Sequence, residues 1–372
     1  MEKPEYLILV TGGEIGGAQT SVLTLATELR RRGISVALGC GRSGSFLENE
    51  AGKRGIPFFR FKNLTRTNNP GKNLLFSFEF LGFLEKNKSI KLVHCNSSNT
   101  LFAALGAHFL PQRPKIIFTF RGLSFLDPQH KGLAKFVYFW LFRFLLPWVD
   151  ESVFVSAKNA KLASRLKIEK KSRVIYNAVL PKDFLLRVEA RKFFLEHGAH
   201  INEQTFVIGS IGRLAYPKNY EFLIAQMPAI LEKNPNSILV LIGDGPERRK
   251  YQKLVRDLDL KDAVLFLGSV PNASHYLKGL DVFVLPSIYE GLSISLIEAR
   301  SAGIPVIASD VGGNKEVVES SVGVYELDNS KDFLALLQKA LQKRYHLAPL
   351  PHHFTVSVMG DRYQDLYKKL TA

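Results

Sequence analysis

Residues 282–310 read VFVLPSIYEGLSISLIEARSAGIPVIASD, and this stretch limits the possible folds more than any other. Val282 to Leu285 is a short apolar run closed by Pro286, which suits a parallel strand buried on both faces. Glu290-Gly291 then leads into an apolar-periodic segment that stops near Gly303, the pattern of a helix ended by glycine. A second apolar strand follows at Pro305 to Ala308. Such strand–helix–strand crossovers build parallel sheets, and open parallel sheets take ligands at the carboxyl ends of their strands.

The same alternation runs along the chain. In the first half, strands are predicted at Tyr6–Val10, Ser35–Gly39, Pro57–Phe61, Leu92–Cys95, Ile116–Phe120, Ser152–Val155 and Val174–Tyr176, with helical patterns at Ala18–Arg32 and Asn99–Phe109. In the second half they fall at Phe206–Ile211, Ile238–Ile242, Val264–Leu267, Val282–Leu285, Val306–Ala308 and Val324–Tyr325, with helices at Asn219–Glu232 and Arg248–Leu258. The tail Val356–Leu370 reads as one more helix. A length of 372 residues suits two such domains, with the joint near Leu180–Glu189. The fold class is α/β, two doubly wound halves.

Two acids stand in the opening stretch, Glu290 in the loop and Glu298 in the helix. Counted from Glu290, eight helical positions turn by roughly 80°, so the pair is not one carboxylate stripe. Gly291, Leu292 and Ser293 lie between them, at a helix start whose unpaired N–H groups favour phosphate. Glu290 could then meet sugar hydroxyls and Glu298 a ribose diol. A first-turn acid stabilised by the dipole and a solvated Glu298 fit the spacing equally well. Upstream, GSIGRLAYPKN sets Arg213 and Lys218 just past a predicted strand end. Two cations there would neutralise a diphosphate and the charge growing on a leaving nucleotide; in isolation they also read as solvated loop residues. The turn TGGEIGGAQT after the first strand is weak evidence of phosphate binding and is equally a tight turn needing glycine.

Composition narrows the partners. Lys+Arg 50 against Asp+Glu 34 gives a net charge of +16, which favours anionic ligands or surfaces. No nucleic-acid-binding module is visible, so a membrane surface is the stronger option. Residues 130–149, HKGLAKFVYFWLFRFLLPWV, join aromatic and apolar residues with Lys131, Lys135 and Arg143. That suits an interfacial segment, or a helix covering a sheet with its cations snorkelling outward. Cys40 and Cys95 form no disulfide framework or zinc spacing, which fits a reducing compartment. The opening MEKPEYLILVTGG has too short an apolar run for a signal peptide, and no apolar run reaches the roughly 18 residues of a spanning helix. A cytoplasmic protein, peripheral at the inner face of the membrane, is expected.

The stretch E-G-L-S-I-S-L-I-E-A, with Glu290 and Glu298 at its ends, resembles the E-x7-E motif of retaining GT-B glycosyltransferases of family 4. A-G-I-P-V-I-A-S-D-V-G-G (302–313) resembles that motif's continuation. The segments G-R-L…K-N, I-G-D-G-P-E-R, F-L-G-S-V-P-N, S-R-V-I-Y-N-A-V and the G-G-A-Q turn are similar to further family motifs, with Ala178 where glycine is usual. The resemblance implies a GT-B fold of two Rossmann-like domains and an intervening cleft. It implies an acceptor domain over 1–182, a nucleotide-sugar donor domain over 183–354, and a last helix, 355–372, packing back on the first domain. By the same resemblance Arg213 and Lys218 hold the donor diphosphate with the Gly291, Leu292 and Ser293 backbone, and Gly16 and Gly17 lie against it. Glu290 fixes the sugar, Glu298 the ribose, and Val270 lies at the base. Retention would follow from front-face attack assisted by the leaving phosphate, with no DxD-type metal site. The co-substrate would be a UDP- or GDP-type sugar and no other cofactor is implied.

One departure is chemical. The family commonly has His where I-I-F-T-F-R-G-L carries Arg121, and arginine cannot act as a base at neutral pH. Arg121 could instead bind an anionic acceptor or donor group. His94 is a second acceptor-side candidate, or a buried structural histidine. The expected reaction is hexosyl transfer to a lipid-linked or polysaccharide acceptor, as in lipopolysaccharide, O-antigen or capsule assembly. The rivals are a hydrolysing sugar-nucleotide epimerase and a non-catalytic relative acting as a binding protein.

Overall fold

The computed structural model describes residues 3–129, 132–168, 171–180, 183–319 and 321–372. The chain divides into two compact units, Met1–Leu180 with His352–Ala372, and Pro181–Pro351. The first unit holds strands β1 (Tyr6–Val10), β2 (Val36–Cys40), β3 (Phe58–Arg60), β4 (Leu92–Cys95), β5 (Lys115–Phe120), β6 (Glu151–Phe154) and β7 (Ser172–Val174). Its helices are α1 (Gly17–Arg31), α2 (Phe46–Lys53), α3 (Pro70–Lys86), α4 (Phe102–His108), α5 (Leu133–Leu145) and α6 (Ala157–Arg165). The second unit holds β8 (Phe206–Ile211), β9 (Ser237–Ile242), β10 (Val264–Gly268), β11 (Val282–Leu285), β12 (Val306–Ser309) and β13 (Gly323–Tyr325). Its helices are α7 (Arg187–Glu196), α8 (Tyr220–Lys233), α9 (Arg248–Asp257), α10 (Ile294–Ser301), α11 (Asn314–Val318) and α12 (Ser330–Leu341), and α13 (Val356–Thr371) returns to the first unit.

Both sheets are parallel and doubly wound. The orders are β3-β2-β1-β4-β5-β6-β7 and β10-β9-β8-β11-β12-β13, so the winding reverses between β1 and β4 and between β8 and β11. Those reversals open the crevices where such sheets take ligands. The central strands carry no charge and are buried on both faces, as Val282 to Leu285 and Tyr6 to Val10 show.

The two faces of the first sheet are covered differently. Val22, Leu29, Met359 and Leu366 of α1 and α13 pack on one face. Burying an aliphatic side chain of this kind stabilises by about 1.5–3 kcal/mol. Phe76, Phe80, Phe142 and Leu145 of α3 and α5 pack on the other, with α4 and α6.

One strand end shifts, and two helices are now delimited. The seventh strand ends at Val174, not Tyr176, because only three residues pair with β6 before Asn177 turns in toward Ser21 and Arg121. Helix α3 is apolar on several sides, so it shows no clean period; its start was marked by Asn69, which accepts from Gly71 N and Lys72 N, and by Pro70 in the first turn. Residues 133–145 form α5, and Pro147 stands just beyond it; Lys131 lies outside the described residues.

Candidate functional site

At the reversal in the second sheet, the loops after β8 and β11 meet. Ile288 N donates to Pro217 O at 2.8 Å, and Lys218 Nζ donates to Glu290 Oε1 at 2.6 Å. Glu290 lies outside α10, which begins only at Ile294, so the helical rotation counted from Glu290 does not apply. One serine hydroxyl fixes Glu290, and a second holds the backbone of that serine. Ser287 Oγ donates to Glu290 Oε1 at 2.8 Å, and Ser309 Oγ donates to Ser287 O at 2.5 Å. Sequence reasoning missed both serines; their signal is a serine at the carboxyl end of two adjacent strands, in LPS and ASD. Gly312 closes the turn from the other side. It adopts φ +51°, and a Cβ there would come 2.1 Å from Glu290 O, so only glycine fits.

Burial works to lower the Lys218 ammonium, but Glu290, with Tyr220, outweighs it and the pKa is raised. Lys218 is therefore charged at any working pH. Arg213, on the same loop, is exposed and has no side-chain hydrogen bond or ion pair among the described residues. Gly291, Leu292 and Ser293 are buried, and Ser293 Oγ caps α10 by accepting from Leu296 N at 3.4 Å. Glu298 is 8% exposed, so it is not solvated surface. Val270 is half-buried just past the end of β10. Arg213, Lys218, Val270 and Glu290 all stand past carboxyl ends of this sheet.

At the reversal in the first sheet, the loop after β1 is anchored to the loops after β4 and β2. Thr11 N donates to Ser97 Oγ at 2.9 Å and Gly13 N to Ser43 O at 2.7 Å. The tight backbone approach falls on Gly13, where a Cβ would meet Gly44 O at 2.8 Å. Gly16 is extended at φ −177° and caps α1, and Gly17 is the first residue of that helix. Their positive-φ demand, the simpler reading of this turn, is absent.

Arg121 lies just past β5 and ties three chain segments together. Its Nη1 donates to Ser21 Oγ at 2.6 Å and to Asn177 Oδ1, and its Nη2 to Asn96 Oδ1 at 2.6 Å. All three partners are neutral, and the buried Nε has none among the described residues. Burial lowers its pKa while Tyr363 and Tyr367 act against that; the guanidinium stays charged at neutral pH. His94 corrects the expectation that it serves the acceptor side. It is fully buried within β4, with Nδ1 2.7 Å from Tyr367 Oη and Nε2 2.6 Å from Thr119 Oγ1. Burial, then the Arg121 charge, hold its imidazole well below the usual range, so the ring is neutral and structural.

The profile of the family described as Glycosyltransferase Family 4 matches residues 15–182, and that of Glycosyl transferases group 1 matches residues 194–355. The chain belongs to this family of glycosyltransferases. Its two Rossmann-like units are those of the GT-B fold. An uncharacterized glycosyltransferase of Methanocaldococcus jannaschii is 35% identical over 171 residues, 45% of this chain and 44% of that protein, so the match spans less than half of the relative. An Escherichia coli enzyme named UDP-Gal:alpha-D-GlcNAc-diphosphoundecaprenol alpha-1,3-galactosyltransferase is 28% identical over 299 residues, 76% of each chain. Among solved structures, sucrose-phosphate synthase from Thermosynechococcus elongatus superposes with TM-score 0.80 at 19% identity, covering 99% of both chains. Anabaena HepE in complex with UDP and glucose gives TM-score 0.79 at 18% identity, over 98% of this chain and 99% of that one.

Proposed function

We propose that this glycosyltransferase moves a hexosyl group from a UDP- or GDP-type sugar to a hydroxyl of a lipid-linked glycan, with retention at the anomeric carbon. The observation that carries the reading is the Lys218–Glu290 pair beside the uncommitted Arg213 at the reversal of the second sheet. A diphosphate arriving there meets Arg213 directly and draws Lys218 away from its acid. Glu290, steadied by Ser287, is then free to accept from hydroxyls of the sugar. Glu298 takes the ribose, Val270 the base, and the 291–293 backbone lies against the diphosphate. As the bond to the anomeric carbon lengthens, charge grows on the leaving phosphate, and the two cations stabilise it without a catalytic metal. The leaving phosphate takes the proton of the hydroxyl that attacks on the same face.

Arg121 would receive an anionic group, such as a phosphate of the acceptor or a carboxylate of a sugar. Named relatives support the acceptor class: the E. coli galactosyltransferase acts on a diphosphoundecaprenol-linked sugar, and O-antigen biosynthesis glycosyltransferase WclY is 25% identical over 262 residues. Work at the cytoplasmic face of an anionic membrane follows from that acceptor and the net charge.

A thermal-shift screen of UDP, GDP, ADP, CMP and dTDP sugars tests the donor site. A ligand at 100 times its dissociation constant adds about 2.7 kcal/mol. One nucleotide should respond, and the response should vanish in Arg213→Ala and Glu298→Ala. NMR of the product's anomeric proton then tests retention. No response from folded protein overturns the donor reading; free epimerised sugar from donor alone would make the protein an epimerase.

A further inference from the structure

We propose that the outer surface of the α3–α4–α5 layer docks in the interfacial zone of a bilayer containing anionic lipid. This deepens the acceptor reading above and rests on it only for the purpose the surface serves.

Helix α5 divides its aromatic residues between two sides. Phe142 and Leu145 are buried against the sheet, while Phe136, Trp140 and Phe144 are 60%, 51% and 61% exposed. The exposed three recur at every fourth position and so form one stripe. Helix α3, on the far side of α4, repeats the division, burying Phe76 and Phe80 while leaving Leu75 and Phe78 exposed. Ring contacts extend the surface: Phe144 meets Trp148 at 5.0 Å and Trp148 stacks on His108 at 5.2 Å. Exposed apolar surface this dense marks a docking site.

Charge selects the occupant. Helices α3 to α6 carry seven Lys and Arg residues, Lys135, Arg143, Lys158, Lys161 and Arg165 among them, against two acids, Glu79 and Glu85. Across the sheet, α1, α2 and α13 carry six Lys and Arg residues against five acids, Glu28, Glu48, Glu50, Asp361 and Asp365, and expose no large hydrophobic side chain. Exposed apolar side chains and a large cationic excess therefore coincide on the α3–α6 face, while the other face is close to balanced. A second copy of the chain, docked symmetrically, would set these cations against themselves. An anionic headgroup layer meets the cations while its acyl boundary takes the rings. At 13 residues α5 is about 20 Å long, too short to span a bilayer and suited to lying in its surface.

Position links the surface to the chemistry. The chain enters α3 and α5 from the carboxyl edge of the sheet, the edge where Arg121 stands. Leu75 and Phe136 fall toward the starts of their helices, and Phe78 and Trp140 stand near the middle. Docked this way, the carboxyl edge lies near the headgroups that a lipid-linked substrate shares.

The test uses the whole chain with Trp148→Phe, which leaves Trp140 as its single tryptophan. Added to vesicles of equal phosphatidylglycerol and phosphatidylcholine at low salt, its emission should shift to the blue, and phosphatidylcholine alone should give no shift. In co-sedimentation, the triple variant F136S/W140S/F144S and the double variant K135E/R143E should each lose about tenfold or more in partitioning. Both should keep the parent's melting temperature, since the altered side chains are exposed. K368E/K369E on α13 should bind as the parent does. No sedimentation of the parent with anionic vesicles overturns the proposal, and so does binding lost in K368E/K369E but kept in the α5 variants. A dimer in analytical ultracentrifugation that the triple variant dissolves would assign the face to a second copy. None of these readouts uses a nucleotide, so their failure is separate from failure of the donor reading.

Discussion

At the carboxyl edge of the second sheet a cation is met by an acid, Lys218 by Glu290 at 2.6 Å, and Arg213 stands exposed beside them. At the same edge of the first sheet the cation Arg121 is met, among the described residues, by Ser21, Asn96 and Asn177, and the nearby His94 is neutral. An ion pair can exchange partners when a charged ligand arrives, because the incoming anion replaces one carboxylate with another negative group. A guanidinium held by neutral groups has nothing to exchange, so an anion reaching it adds a charge interaction without breaking one. Two edges of one topology are thus set for different events.

The largest test of this contrast is Arg213→Ala. Its side chain is exposed and without a partner among the described residues, so the melting temperature should hold while kcat/KM falls about 10²–10³-fold. An unchanged rate would break the contrast at the second edge. Next comes Lys218→Met, which strands Glu290. It should lose about 2 kcal/mol in denaturant unfolding, less than a fully buried pair, because the side chains keep 19% and 13% exposure. The double variant K218M/E290Q should regain most of that stability and none of the activity, and a double-mutant cycle reads the coupling.

The third test is pH. His94 is depressed in the folded protein, so the unfolded chain takes up a proton near pH 6.5 that the folded one refuses. Stability from this group is complete above 6.5 and falls below it, by about 1.4 kcal/mol per pH unit. Glu28 and Glu50, with lowered pKa values, enter only below their ordinary value of 4.5. Urea midpoints between pH 6.5 and 5 should follow this slope, and His94→Gln should flatten it. A parent protein with no slope there would return His94 to the open crevice. The smallest effect is expected of Arg121→His. It should cost about 1 kcal/mol in stability, leave the nucleotide-induced thermal shift unchanged, and raise KM for an acidic acceptor several-fold. Equal KM values would make Arg121 only a strut.

What the sequence made legible follows from what each residue needs. Buried parallel strands are near-continuous apolar runs, so Tyr6–Val10, Leu92–Cys95, Phe206–Ile211 and Val282–Leu285 could be read to the residue. Glu290, Lys218 and Arg213 stood out because charged residues gathered beside strand ends seldom serve packing alone. The serines that orient Glu290 did not, since a hydroxyl is ordinary in a loop until its partner is known. His94 resisted for the converse reason. Nothing in L-V-H-C-N tells that Tyr367, 273 positions later, will bury it.

That long-range bond sets an order of events in synthesis. The first unit is discontinuous in the chain, and α13 supplies its outer layer through Met359, Tyr363, Leu366 and Tyr367. While the ribosome makes residues 181–351, the N-terminal half waits with one face of its sheet covered only in part, by α1 and α2, and the Nδ1 of His94 without its phenol. The unit translated first is therefore the unit completed last. Premature termination within α13 would damage the part of the protein that left the ribosome earliest.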